Sequence, residues 1–165
     1  MKKTAFAFVG VAFGILVGVI GCSRLSGGSV TKDGLTINRL GGAKIERFKL
    51  GAMSGWSMKL PCDEHFTPNV NWFVAEFDGN FDEYMEMTDQ GFCELSATVI
   101  SKVCAGEDIV DVEYLMTIVG EREGHFVQRI IKDGKRFHVV TGTTTVPQWE
   151  RYGAQIAECV KSAHK

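Results

Sequence analysis

Five apolar residues near the middle of the chain, Val110, Val112, Tyr114, Met116 and Ile118, occupy every second position. A period of two puts all five side chains on one side of an extended chain, so this segment reads as a strand with one buried face. Two further runs, His125 to Lys132 and Lys135 to Thr141, flank Asp133-Gly134, a pair favoured in two-residue turns because glycine accepts positive φ. That turn predicts a hairpin in which Ile131 faces Arg136, Arg129 faces His138 and Val127 faces Val140. Phe126, Ile130, Phe137 and Val139 then share the other face, which is candidate core.

The flanking segments complete the pattern. Trp56, Met58 and Leu60 alternate until Pro61 ends the run, and Trp72 to Phe77 makes a second strand ended by Asp78-Gly79-Asn80. Phe81 to Met87 reads as a third strand, paired with the second around the Asp-Gly turn. Phe92, Leu95, Val99 and Val103 recur at helical spacing with Gly106 as a cap, although the β-branched Thr98, Val99 and Ile100 argue against a helix. Leu35-Thr36-Ile37 and Ile45 to Leu50 read as short strands on either side of Gly41-Gly42. Near the end, Thr145 and Gln148 fit a capping box, Pro147 suits the first turn and Glu150 favours the positive helix end. Trp149, Tyr152, Ile156 and Val160 follow as one apolar stripe, which predicts a helix packed on the sheet. The expected class is α+β: an antiparallel sheet of about five to seven strands with two helices, the last C-terminal and amphipathic. The Asp133-Gly134-Lys135 hairpin followed by the amphipathic Trp149–Val160 helix resembles the PsbP-like fold. The resemblance implies a fold and assigns no functional residue, because one fold hosts many functions.

The N-terminal segment carries a different message. Met1-Lys2-Lys3 is a short positive start, and no charged residue occurs from Thr4 to Cys22. A basic start and an apolar run make a secretory signal. An uncharged run of about 18 residues is also just long enough to span a bilayer, so an uncleaved anchor is the competing reading. The run ends in Val19-Ile20-Gly21-Cys22, which resembles the lipobox of bacterial lipoproteins. The resemblance implies a thioether-linked lipid on Cys22, cleavage after Gly21 and acylation of the new amino group. Several acyl chains hold a protein stably where one holds it marginally. In that family aspartate after the lipid cysteine favours the inner membrane, and Ser23 here points to the outer membrane of a Gram-negative envelope. The expected organisation is a signal over residues 1–21, a lipid-anchored flexible tether rich in Ser and Gly over 22–34, and a single domain over 35–165.

Removing residues 1–21 from the 165-residue chain leaves 144, enough for one compact domain, with 16 Lys and Arg against 20 Asp and Glu. A balance of −4 without a basic stripe excludes a nucleic-acid partner of the usual kind. Cys62, Cys93, Cys104 and Cys159 remain, and an even count in an exported chain predicts two disulfides. Cys93 and Cys104 stand roughly 16 Å apart if a helix joins them, and further if a strand does. A bridge needs α-carbons within about 7 Å. That pairing is disfavoured, leaving Cys62 with either Cys93 or Cys104 and Cys159 with the other.

No phosphate loop, dinucleotide fingerprint, HExxH, G-x-S-x-G or CxxC occurs. Asp63-Glu64-His65 has ligand chemistry, but adjacent residues rarely converge on one ion, and a solvated loop is the better reading. Asp78, Asp82, Glu83 and Glu86 lack the tight spacing of a calcium loop. His125, Arg129, Arg136 and His138 share one hairpin face, and guanidinium groups suit bidentate binding of a carboxylate or phosphate. The expectation is a non-catalytic interaction or assembly module with no cofactor and no metal, held at the membrane through Cys22 and meeting an envelope protein. The alternative is a small-anion site on the Arg129, Arg136, His138 and His125 face.

Overall fold

The computed structural model describes residues 28–61, 66–118 and 121–165. Val19-Ile20-Gly21-Cys22, Ser23, Cys62 and Asp63-Glu64-His65 lie outside the described residues. The elements run β1 (Ser29–Lys32), β2 (Leu35–Asn38), β3 (Lys44–Leu50), β4 (Met53–Lys59), β5 (Asn69–Glu76), α1 (Phe81–Glu94), β6 (Thr98–Gly106), β7 (Ile109–Ile118), β8 (Arg122–Asp133), β9 (Arg136–Thr145) and α2 (Val146–Lys161). β1 and β2 form a small hairpin, and the other seven strands form one sheet in the order β3-β4-β5-β9-β8-β7-β6 with every pair antiparallel. The fold is α+β with two helices, as the patterning predicts.

Each face of the sheet has its own core. On one, the α2 stripe of Tyr152, Ile156 and Val160 packs with Trp72, Val127 and Val140, and the β1–β2 hairpin adds Leu35 and Ile37. Gly142 on β9 lets α2 approach closely, since a methyl group there would collide with Ile156. On the other face, Tyr84 and Phe92 of α1 pack with Tyr114, Phe126 and Phe137. At the start of α2, Pro147 sits in the first turn and Gln148 Oε1 accepts the Thr145 N–H at 3.2 Å. This cap matches the expected one.

Four expectations change. Phe81 to Met87 belongs to helix α1 and not to a strand. Asn80 Oδ1 accepts the Glu83 N–H at 2.9 Å, and Glu83 Oε2 accepts the Asn80 N–H at 2.8 Å. That reciprocal cap satisfies two donors the first turn leaves open, so Asp78-Gly79 leads into a helix and makes no hairpin. The expected helix from Phe92 to Val103 is divided between two elements. Phe92 closes α1, Ser96 turns the chain at φ +53°, and the β-branched run from Thr98 opens β6. The β8–β9 register is displaced by two residues. Asp133 pairs with Arg136, Ile131 with His138 and Arg129 with Val140, around Gly134-Lys135 with Gly134 at φ +64°. A shift of two leaves every side chain on its predicted face. The fourth change is at the tether: Ser29–Lys32 pairs with Leu35–Asn38 across Asp33-Gly34, so folded structure begins inside the stretch expected to be flexible.

The described cysteines are unbridged. Cys93 lies in the last turn of α1, Cys104 lies on β6 and Cys159 lies on α2. The helices occupy opposite faces, so the sheet separates Cys159 from Cys93 and removes that pairing. The Cys159 thiol donates to the Asn38 carbonyl at 3.0 Å, and burial pushes its pKa up to about 12. A thiol held neutral is a poor nucleophile. Iodoacetamide at neutral pH is therefore expected to label the exposed Cys93 and Cys104 and to spare Cys159, read by peptide mass spectrometry before and after unfolding. Labelling of Cys159 in the folded protein would contradict this packing.

Candidate functional site

The sheet does bring His125, Arg129, Arg136 and His138 onto the α2 face, but it employs most of them in holding that face together. Arg129 lies opposite Asp111 on β7 and grips it with two bonds, Nε to Oδ1 at 2.7 Å and Nη2 to Oδ2 at 2.8 Å. Its remaining nitrogen, Nη1, donates to the Lys161 carbonyl and to the Ala163 carbonyl at 3.3 Å. A helix leaves its last carbonyls without partners and its C-terminus partly negative, so this guanidinium closes α2. His125 stacks on the Trp149 indole, with ring centres 3.5 Å apart, and its Nε2 lies 2.7 Å from Glu113 Oε1. Arg136, on the exposed rim, donates to Asp133 at 2.6 Å, and this holds the Asp133 carboxyl below its ordinary range. The four residues are neighbours in the sheet without forming an open anion pocket, because both guanidinium groups already hold a carboxylate.

His138 is 1% exposed, and neither ring nitrogen has a hydrogen-bond partner. Asp133 is 3.7 Å away, beyond hydrogen-bond reach, with Arg136 and Lys165 close by. Burial lowers the His138 pKa, Asp133 opposes that shift, and Arg136 and Lys165 add to it. Folding therefore favours the neutral ring, and its contribution is complete above the unfolded value near 6.5. The contribution shrinks as the pH falls below that value and is lost through the lower folded value. The urea midpoint is expected to drop between pH 7.5 and pH 5.5, and His138→Gln should flatten that slope. Equal slopes in the two proteins would assign the acid sensitivity to other groups.

Two features lay outside the sequence expectations. The first is the contrast between the sheet's edges. β3 carries Lys44, Glu46, Arg47 and Lys49 in seven residues, whereas β6 carries one charge, Lys102, in nine. Lys102 is itself paired with Asp89 of α1, at 2.6 and 2.8 Å. Val99, Ile100 and Val103 on β6 are 44%, 51% and 56% exposed. The helical spacing of Phe92, Leu95, Val99 and Val103 masks this edge in the sequence. The second feature is a row of polar side chains crossing the α1 face. Ser57 pairs with Asn71, Asn71 with Thr141, and Thr141 with Gln128. The signal was present as polar residues interrupting apolar strands, but nothing local aligned them.

Asp78 lies just before α1 and pairs with Lys135 at 2.8 Å, Asp82 and Glu83 lie in the first turn of the helix, and Glu86 lies further along it. Among the described residues, no three His, Cys, Asp or Glu side chains lie close enough to hold a metal ion. None of the described helices is long and apolar enough to cross a membrane.

Comparison with solved structures gives a neighbour for the fold. The solution structure of the cyanobacterial PsbP protein CyanoP, from Synechocystis sp. PCC 6803, matches with a TM-score of 0.61 and 18% identity, over 92% of this chain and 98% of that one. At that identity the likeness concerns the fold alone, and it agrees with the PsbP-like reading of the hairpin and final helix. A protein of unknown function from Pseudomonas aeruginosa matches with a TM-score of 0.47 and 13% identity, over 67% of this chain and 90% of that one. No family model matches the chain. No curated protein matches it either.

Proposed function

We propose that this chain is a lipid-anchored cell-envelope protein whose domain is a non-catalytic interaction or assembly module. The anchoring reading rests on Val19-Ile20-Gly21-Cys22 at the end of an uncharged apolar run behind Lys2 and Lys3. Ser23 after the lipid cysteine favours the outer membrane of a Gram-negative host. The interaction reading is carried by the bare β6 edge. Exposed strand edges are usually blunted by charge, proline or bulges, because their free N–H and C=O groups template pairing. β3 is blunted with charge. β6 has bulges at its two ends, and between them Ser101 to Cys104 is regular, with its one charge neutralised by Asp89. Such an edge suits an extended, uncharged strand from an envelope protein, added by backbone hydrogen bonds with apolar contacts at alternate positions.

Two measurements test the proposal. The intact mass of membrane-purified protein should correspond to a chain that begins at Cys22 and carries acyl groups, and an unlipidated chain beginning at Met1 would refute the anchor. For the edge, a photo-crosslinker at Val103 should capture a defined envelope partner in intact cells. One at Lys49, on the charged edge, should not. With the crosslinker kept at Val103, Val99→Lys combined with Ile100→Lys, both exposed positions on the same edge, should abolish that adduct while the melting temperature holds. Capture at Lys49, or an adduct indifferent to the lysines, would place the contact elsewhere.

A further inference from the structure

We propose that the polar row on the α1 face is a binding site for a neutral, hydroxyl-rich ligand, a saccharide. The site is independent of the β6 edge and of the lipid anchor. Register alone builds it: Ser57 on β4, Asn71 on β5, Thr141 on β9 and Gln128 on β8 occupy successive cross-strand positions. The rows beside it differ in kind. On one side Gly55, Phe73, Val139 and Ile130 are apolar apart from the glycine. On the other, Lys59, Asn69 and Thr143 continue the polar surface as far as the buried Phe126 on β8. The α1 aromatic side chains stack on Phe137 and pack at a tilt on Tyr114, and Asn71 and Thr141 in the row remain half-exposed.

The hydrogen bonds within the row are incomplete in a particular way. Tyr114 Oη donates to Gln128 Oε1 at 3.2 Å and Thr141 Oγ1 lies 3.5 Å from the same oxygen, so the amide is oriented. Its Nε2 is nonetheless buried with no partner, in a residue 5% exposed. Ser57 is 2% exposed, and its hydroxyl also has no partner. Asn71 Nδ2 donates to Asn69 Oδ1 at 2.7 Å, and Asn69 Nδ2 donates to the Thr67 carbonyl at 2.8 Å, which fixes both amides. Buried polar groups are nearly always satisfied, and each exception needs an explanation. Here two unsatisfied groups flank the half-exposed pair, one donor from an amide and one hydroxyl that both donates and accepts. The row meets a charge at its β3 end, where Glu46 stands opposite Ser57. Lys59 closes that charge by pairing with Glu46 and holding its carboxyl below the ordinary range. Neutral donors and acceptors set at the strand spacing of about 4.8 Å fit the hydroxyl groups on alternate carbons of a sugar ring better than an ion.

The test uses N,N′-diacetylchitobiose, which offers both hydroxyl and amide groups, titrated into the full-length protein in detergent. Binding is read from the side-chain amide resonances of Asn71 and Gln128. Saturable shifts at both are expected at millimolar sugar, an affinity within reach of a few hydrogen bonds. Thr141→Val keeps the side-chain shape and should weaken binding about tenfold, the size expected from one lost hydrogen bond. Ser57→Ala should weaken binding and raise the melting temperature, because it removes a buried unsatisfied hydroxyl. A merely structural row would give the rise in melting temperature without any sugar-dependent shift. The proposal is overturned if millimolar sugar leaves both amides unmoved, the result expected when the row is satisfied by water alone. Shifts that persist unchanged in a folded Thr141→Val protein overturn it equally.

Discussion

Replacing Arg129 by alanine is expected to lower the unfolding free energy by about 3 kcal/mol, the cost of breaking a largely buried pair from one side. The side chains of Arg129 and Asp111 are 13% and 18% exposed, so removing the guanidinium leaves a carboxylate with little water to replace it. The end of α2 loses its cap in the same step, at Lys161 and Ala163. A protein of this size has roughly 5–15 kcal/mol in total, so urea denaturation will register the change clearly. The double variant Arg129→Met with Asp111→Leu should recover much of the loss, because no charge is then stranded. A loss below about 1 kcal/mol, the level of an exposed surface pair, would mean that Arg129 is available for a ligand.

The second large effect is expected at Phe137. Its ring is fully buried and stacks on Tyr84 with centres 3.9 Å apart, while Phe81 stacks further out and Phe77 meets it edge-on at 6.0 Å. Phe137→Ala should cost about 4 kcal/mol, combining lost transfer energy with the cavity left behind. Phe137→Leu keeps most of the volume and should cost about 1.5 kcal/mol or less. The damage should concentrate in α1, whose attachment to the sheet runs through these rings. Hydrogen exchange in α1 is therefore expected to accelerate more than in α2, which packs on the opposite face. Equal acceleration in the two helices would show that the faces do not behave as separate cores.

What is legible in this sequence and what is not divide along a physical line. The β7 alternation and the Thr145–Gln148 cap concern neighbours within about four residues, and both were read correctly. Region 78–106 went wrong because local signals conflicted there. Asp78-Gly79 looks like a hairpin turn, while Asn80 and Glu83 spell a helix cap. The apolar spacing of Phe92, Leu95, Val99 and Val103 spans what are in fact two elements. The cap prevails because it satisfies backbone donors, whereas a turn pair only permits a conformation. The hairpin register failed by two because Asp133 is the last paired residue and not part of the turn, yet its faces survived, since side-chain direction repeats every two residues.

By itself the sequence determined the strand and helix periods, the class of fold, and which residues of β8 and β9 point together. These follow from backbone geometry and burial over short stretches. Only the tertiary structure decided what the shared faces do. Arg129 looked free until Asp111 and the end of α2 arrived beside it, from 18 and 32 positions away in the chain. Ser57, Asn71, Gln128 and Thr141 became one row only when four strands were placed in register. Local patterning reports which way a side chain points, but its partners are supplied by chain segments that meet only in the folded sheet.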